Sequence, residues 1–236
     1  MDAPETRLDR ARRRRATAHT ILDRLALFER WRPLGSPVLV GSVALDLVVE
    51  PDIDMEVYSP APSVADGFAA LAPCAGLPGV RKLRFANALD LPDRGLYWRL
   101  DYEFTPDETW QIDMWWLPDD HPGPRAADLV APIRAALDAS TRDAVLTIKE
   151  DAAARGEATQ GVWVYQAVLD HGVRTYDEFR AWRAGTAADG LTPWRPAAPS
   201  TCRSGTGSRR SPGRKNPPTH PPDPPGPTDP AGHLGE

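Results

Sequence analysis

The sequence predicts an α+β fold in which a small mixed sheet follows an N-terminal helix and precedes a helical C-terminal half. Three observations carry this. Apolar residues recur at helical spacing before residue 31 and after Pro118. They alternate with period two between Asp52 and Leu117. Proline and glycine clusters separate the segments. Ile21, Leu22, Leu25 and Phe28 share one helical face, so a first helix is expected from about Pro4 to Trp31. Pro33, Gly35 and Pro37 end it. Val38-Leu39-Val40 reads as a short buried strand running into a Gly41-Ser42 turn, and Val43 to Val49 as one or two helical turns stopped by Pro51. From Asp52 to Tyr58, acidic residues alternate with Ile53, Met55 and Val57, the pattern of a strand with one acidic and one apolar face.

A short helix over Ser63 to Leu71 comes next, then a loop around Pro73 and Gly76 to Gly79. Arg81 to Ala86 reads as a strand. Leu96 to Phe104 and Thr109 to Leu117 read as two strands joined at Pro106-Asp107. Beyond Pro118 the spacing turns helical. Helices are expected over Asp128 to Asp138, from a Ser140-x-x-Asp143 box to about Arg155, over Val162 to His171 with Gly172 as the stop, and from Thr175-x-x-Glu178 onward. This divides the chain into an α/β core with its helix (1–118), a helical region (119–184) and a tail (185–236).

The tail is set apart by composition. Twelve of the 26 prolines fall between Leu191 and Glu236, with Trp194 the lone large aromatic there. Such a segment buries too little apolar surface to offset its chain entropy, so disorder is expected. Its basic-then-proline order allows a partner-binding role, and an inert tail is the plainer reading. Elsewhere composition mainly excludes. No run approaches the ~18 apolar residues of a membrane helix. Two cysteines, Cys74 and Cys202, are too few for a disulfide scaffold or a four-cysteine zinc site. The arginine-rich start has no apolar stretch of a secretory signal behind it, so cytoplasm is the expected compartment. A net charge of −5 argues against nucleic acid as a general partner, a local basic patch aside.

Chemistry concentrates in the stretch from Gly41 to Met55. Asp52 and Asp54 lie two apart on a strand, so both carboxylates leave the same face. Two anions at ~7 Å in a partly closed site repel, and a divalent cation removes that conflict. Mg²⁺ takes carboxylate oxygens and keeps positions open for phosphate. Asp113, alone among Ile112, Met114, Trp115 and Trp116 in a later strand, is the third carboxylate; an acid there is costly unless paired or metal-bound. Two ions about 3.5–4 Å apart on such a trio clamp the attacking and leaving oxygens of a phosphoryl displacement.

A Gly-Ser pair, then Asp-x-Asp between apolar residues, then a lone Asp on a later strand resembles the nucleotidyltransferase superfamily of DNA polymerase beta. Its small members include aminoglycoside and lincosamide nucleotidyltransferases. The resemblance spans Val38 to Leu117. It implies a mixed-sheet nucleotidyltransferase fold and an enzyme that moves a nucleoside monophosphate from an NTP onto an acceptor hydroxyl, a small molecule among the candidates. It implies Asp52, Asp54 and Asp113 as catalytic metal ligands for two Mg²⁺, and Gly41 and Ser42 as the turn that meets the NTP phosphates. The acceptor is expected in a cleft lined from Val162 to Trp182. A nucleotide sensor without turnover, or an interaction protein working through its tail, are the other readings.

Several residues admit two readings. Lys149, one of three lysines, either neutralises triphosphate charge or is a helix-surface lysine. Glu56 shares the acidic face and is expected to be solvated or paired with arginine. Asp101 is expected opposite Asp113, as a supporting acid or as part of an exposed hairpin face. Arg81, Lys82 and Arg84 read as charges protecting an edge strand. Of Trp98, Trp110, Trp115 and Trp116, most should pack the sheet, with one free to stack on a base.

Overall fold

The computed structural model describes residues 4–186 and 192–197. Two helices rather than one lie where the first was expected: α1 (Arg7–Arg24) and α2 (Leu27–Trp31). Between them Ala26 takes a left-handed backbone, φ +51°. The bend lets Leu25, Leu27 and Trp31 all bury, which one straight helix does not allow. Arg30 Nε donates to the freed Leu25 carbonyl at 2.8 Å.

Five strands follow: β1 (Ser36–Val40), β2 (Asp52–Ser59), β3 (Val80–Ala88), β4 (Gly95–Thr105) and β5 (Glu108–Pro118). They make one sheet in the order β1-β2-β5-β4-β3. β2 and β5 run parallel and every other pair is antiparallel. The charged strand β3 is an edge, as its sequence indicates. Between β1 and β2 lies α3 (Gly41–Leu45), and α4 (Val64–Leu71) precedes β3 with Ser63 as its cap. After the sheet come α5 (Ala127–Ala136), α6 (Ala139–Ala154), α7 (Gly161–His171) and α8 (Tyr176–Ala184). The cap of α6 is Asp138 boxed with Thr141, two residues earlier than Ser140. Asp138 is already extended there, and its ionised carboxylate takes the N3 amide.

Period two sorts the sheet into two faces. Ile53, Met55 and Val57 of β2, Trp98 and Leu100 of β4, and Trp110, Ile112, Met114 and Trp116 of β5 point to a core shared with α1, α2 and α4. The four indoles Trp31, Trp98, Trp110 and Trp116 are fully buried in it. Two of them keep a partner: Trp31 Nε1 donates to Met114 sulfur at 3.4 Å and Trp116 Nε1 to Ser59 Oγ at 2.8 Å. A second core joins α5 to α8 with Leu45 and Leu47. Helix α1 enters both, through Ala11 on one side and Ile21 and Leu22 on the other. The expected tail (185–236) lies mostly outside the described residues. The part that is described packs: Trp194 lies against the second core, and its Nε1 donates to Asp170 at 2.6 Å.

The helical half is fastened to the end of α3 and the residues just after it by three cations, each donating to a carbonyl. Arg134 of α5 reaches Ala44 O, Arg142 of α6 reaches Leu45 O, and Lys149 of α6 reaches Leu47 O. Glu56 makes the complementary link. It is neither solvated nor arginine-paired: it is 5% exposed. Its two carboxylate oxygens accept from Ala126 N at 2.9 Å and Ala127 N at 2.8 Å, and Tyr58 Oη donates to it as well. A carboxylate at a helix start satisfies donors that the helix leaves free and complements its dipole. Removing it leaves buried N–H groups unpaired, so Glu56→Ala is expected to cost about 2–4 kcal/mol, and Glu56→Gln less, by urea unfolding. An unchanged midpoint in Glu56→Ala contradicts the capping role.

Candidate active site

The register of the sheet assembles the site. Val40 of β1 pairs with Asp54 of β2, and Asp54 pairs with Asp113 of β5. Asp113 in turn pairs with Arg99 of β4. Asp52 is two residues before Asp54 and shares its face. One carboxylate oxygen from each of Asp52, Asp54 and Asp113 lies within 4.8 Å of the others. The three aspartates picked out by spacing therefore meet.

Their surroundings make the meeting costly without a cation. Burial is the largest influence on Asp52, followed by the charges of Asp54 and Asp113, and together they push its carboxyl up to about 8. Asp54 is pushed up to about 6, again by burial first and by Asp113 second. Lys149 acts the other way on both. Asp52 Oδ1 is buried and has no hydrogen-bond partner. An orphaned oxygen among three hard oxygen donors is what a Mg²⁺ or Mn²⁺ site offers. The residues present fit such an ion.

A cavity of about 300 Å³ opens onto the trio. Gly41, Ser42 and Leu45 of α3 form one wall, and Leu129, Val130 and Ile133 of α5 another. Lys149, Gly161, Val162 and Tyr165 of α6 and α7 form a third, and Trp115 of β5 stands at its side. Gly41 is required here for two reasons. Its φ is +62°, and a Cβ would come within 2.1 Å of Asp54 Oδ2. The glycine thus lets the backbone close on the Asp54 carboxylate.

Lys149 is not a surface lysine. It is 7% exposed, because α6 packs over residues 47–50, and it lines the cavity. Burial lowers its pKa, while Glu50, Asp54 and Asp52 oppose that shift. Only Val162 and Tyr165 of the expected Val162–Trp182 lining reach the cavity; α5 supplies the rest of the apolar wall. Trp98, Trp110 and Trp116 pack the opposite face, and Trp115 alone of the four reaches the cavity.

Three site residues escaped the sequence. Tyr97 Oη donates to Asp113 Oδ1 at 2.7 Å. Tyr165 brings a buried hydroxyl with no partner to the cavity. Arg99, not Asp101, stands across from Asp113. The cause is a bulge: Thr105 pairs with Glu108 but Glu103 pairs with Thr109, leaving Phe104 as the extra residue. Without it Leu100 would face Asp113 and the two faces of the hairpin would mismatch. Asp101 pairs with Gln111 and holds Arg99 at 3.2 Å and Arg84 at 3.6 Å.

No family model and no curated protein matches the sequence. Solved structures do match the fold. A mutant of the Cid1 poly(U) polymerase bound to MgATP aligns with a TM-score of 0.50 and 17% identity, over 66% of this chain and 50% of that one. A cytoplasmic RNA terminal U-transferase aligns with a TM-score of 0.47 and 18% identity, over 66% and 48%. The likeness is one of fold, to the Cid1 poly(U) polymerase structure. This chain spans about half the length of the structures it matches. Among the described residues no helix is long and apolar enough to cross a membrane.

The raised pKa values of Asp52 and Asp54 have a stability consequence. Between about pH 4, where an unfolded aspartate titrates, and pH 8, the metal-free folded state holds more protons than the unfolded one. That contribution is complete at low pH and is lost as pH rises through 6 to 8. The Tm of EDTA-treated protein should therefore fall between pH 6 and 8.5. Millimolar Mg²⁺ should recover the loss at pH 8.5 by binding the ionised carboxylates. Each pKa unit corresponds to about 1.4 kcal/mol, and about 1 kcal/mol to 2–4 °C, so a change of at least ~3 °C is expected. Asp52→Asn should flatten the slope. A Tm that rises over this range, or ignores Mg²⁺, contradicts the assignment.

Proposed function

We propose that this chain is a Mg²⁺-dependent nucleotidyltransferase that moves a nucleoside monophosphate from an NTP to an acceptor hydroxyl and releases pyrophosphate. The observation that carries the reading is the convergence of Asp52, Asp54 and Asp113 beside a cavity with a buried lysine. Asp52 and Asp54 hold the divalent ions, two in number, and Asp113 joins them from the neighbouring strand. When bound, Mg²⁺ neutralises charge on phosphate oxygens and favours ionisation of the acceptor hydroxyl.

The remaining work belongs to the chain itself. Lys149 brings a buried amino group to the wall facing the aspartates, and the nearby Glu50, Asp54 and Asp52 favour its charged form, suited to the triphosphate of the NTP. Gly41 and Ser42 present backbone at the start of α3 to that same anion. Leu129, Val130, Ile133, Val162 and Trp115 offer an apolar surface to the base or to the body of the acceptor. Burial excludes bulk water and strengthens each of these charges. Catalysis is then positioning and charge stabilisation, with no covalent enzyme intermediate.

Pyrophosphate release from each of four NTPs, against a panel of hydroxyl-bearing small molecules and short RNAs, tests the reading. Turnover should require a divalent ion. Asp54→Asn and Asp113→Asn should each lower kcat at least ~100-fold. Lys149→Met should raise KM for the NTP more than it lowers kcat. Thermal upshift with Mg-NTP but no pyrophosphate under any condition would leave a nucleotide sensor in place of an enzyme. Failure of every Mg-NTP to stabilise the protein refutes nucleotide binding itself.

A further inference from the structure

We propose that Tyr97 is a positioning residue that orients Asp113 for the metal, with Asp101 holding the guanidinium of Arg99 back from direct pairing with it. The inference deepens the proposed function and rests on the carboxylate trio being a metal site. Nothing in the recurrent motif, a Gly-Ser pair with three aspartates, requires it, because both residues come from β4.

The geometry is specific. Arg99 is the cross-strand partner of Asp113, the place from which an arginine ordinarily reaches across to a carboxylate. A guanidinium fork on Asp113 would occupy both oxygens and cancel the charge that a divalent ion needs. Arg99 instead puts its Nε 3.2 Å from Asp101 Oδ1, while its guanidinium stays close enough to bond the Tyr97 hydroxyl and to interact with the charge of Asp113. Asp101 also takes Arg84 of the edge strand, at 3.6 Å, so this acid collects the cations of that face.

Asp113 receives a phenol in the guanidinium's stead. Tyr97 Oη donates to Oδ1 at 2.7 Å. One neutral donor fixes the carboxylate plane without removing its charge and leaves the second oxygen free. The Tyr97 ring is itself fixed: it pairs with Trp115 across β4 and β5, and the two rings stack at 4.9 Å. Partners that orient a ligating carboxylate without binding the metal typically contribute 10–100-fold in metal affinity or activity.

Mn²⁺ binding to nucleotide-free protein, followed by electron paramagnetic resonance, tests this independently of turnover. Tyr97→Phe keeps the ring on Trp115 and removes only the donor. It should weaken Mn²⁺ binding about 10–100-fold and lower kcat over a similar range, with KM for Mg-NTP changed less than ~3-fold. Asp101→Asn should weaken Mn²⁺ binding as well, by releasing Arg99 toward Asp113, and Asp101→Asn with Arg99→Gln should restore it. The restoration separates positioning from a loss of folding, which a second substitution has no reason to repair. Wild-type affinity in both Tyr97→Phe and Asp101→Asn overturns the proposal. Absence of Mn²⁺ binding in the wild type overturns the metal reading beneath it.

Discussion

Electrostatic repulsion among three partly buried carboxylates is the constraint around which the rest of the molecule is arranged. Asp54 and Asp113 are register partners on parallel strands, and Asp52 shares their face. Their mutual repulsion and loss of hydration are opposed by Lys149 alone among the side chains lining the cavity. The metal-free site therefore stores unfavourable free energy that a divalent ion would relieve. Active sites commonly retain such local conflict, which the remainder of the fold must hold in place.

Two kinds of structure hold it. On the far face of the sheet, a core rich in tryptophan fixes β2, β5 and β4 to one another and to α1, α2 and α4. On the near face, polar links do the fastening. Arg134, Arg142 and Lys149 bind carbonyls at and just beyond the end of α3, and Glu56 receives the first amides of α5. Lys149 belongs to both systems, since it secures Leu47 and also supplies charge to the cavity. The helical half is thus tied to the site by the same segment, 44–47, that follows the Gly41-Ser42 turn.

What the sequence disclosed was what local periodicity determines. Alternation placed Asp52 and Asp54 on one face, and an acid isolated among aromatics marked Asp113. The succession of strands and helices along the chain, the Gly172 stop and the Thr175 cap followed from turn residues and spacing. The misses depend on distant contacts. The bend at Ala26 serves the burial of Trp31, which no local rule anticipates. The burial of Lys149 depends on α6 packing over residues 47–50. Glu56 finds its partners seventy residues away in α5. The Tyr97–Asp113 bond depends on one bulged residue, Phe104, that sets the register of the hairpin. Gly41 was legible as special, although its reason is the nearness of Asp54 as much as any ligand.

A crystal of the protein grown with Mn²⁺ and a non-hydrolysable NTP tests the central claim most directly, through the anomalous signal of the metal. Manganese peaks within about 2.0–2.3 Å of carboxylate oxygens of Asp52, Asp54 and Asp113, with the nucleotide's phosphates on the open side of the ions, are the result expected of an octahedral oxygen site. Manganese held elsewhere, or Asp113 left without metal beside an occupied nucleotide, contradicts the account.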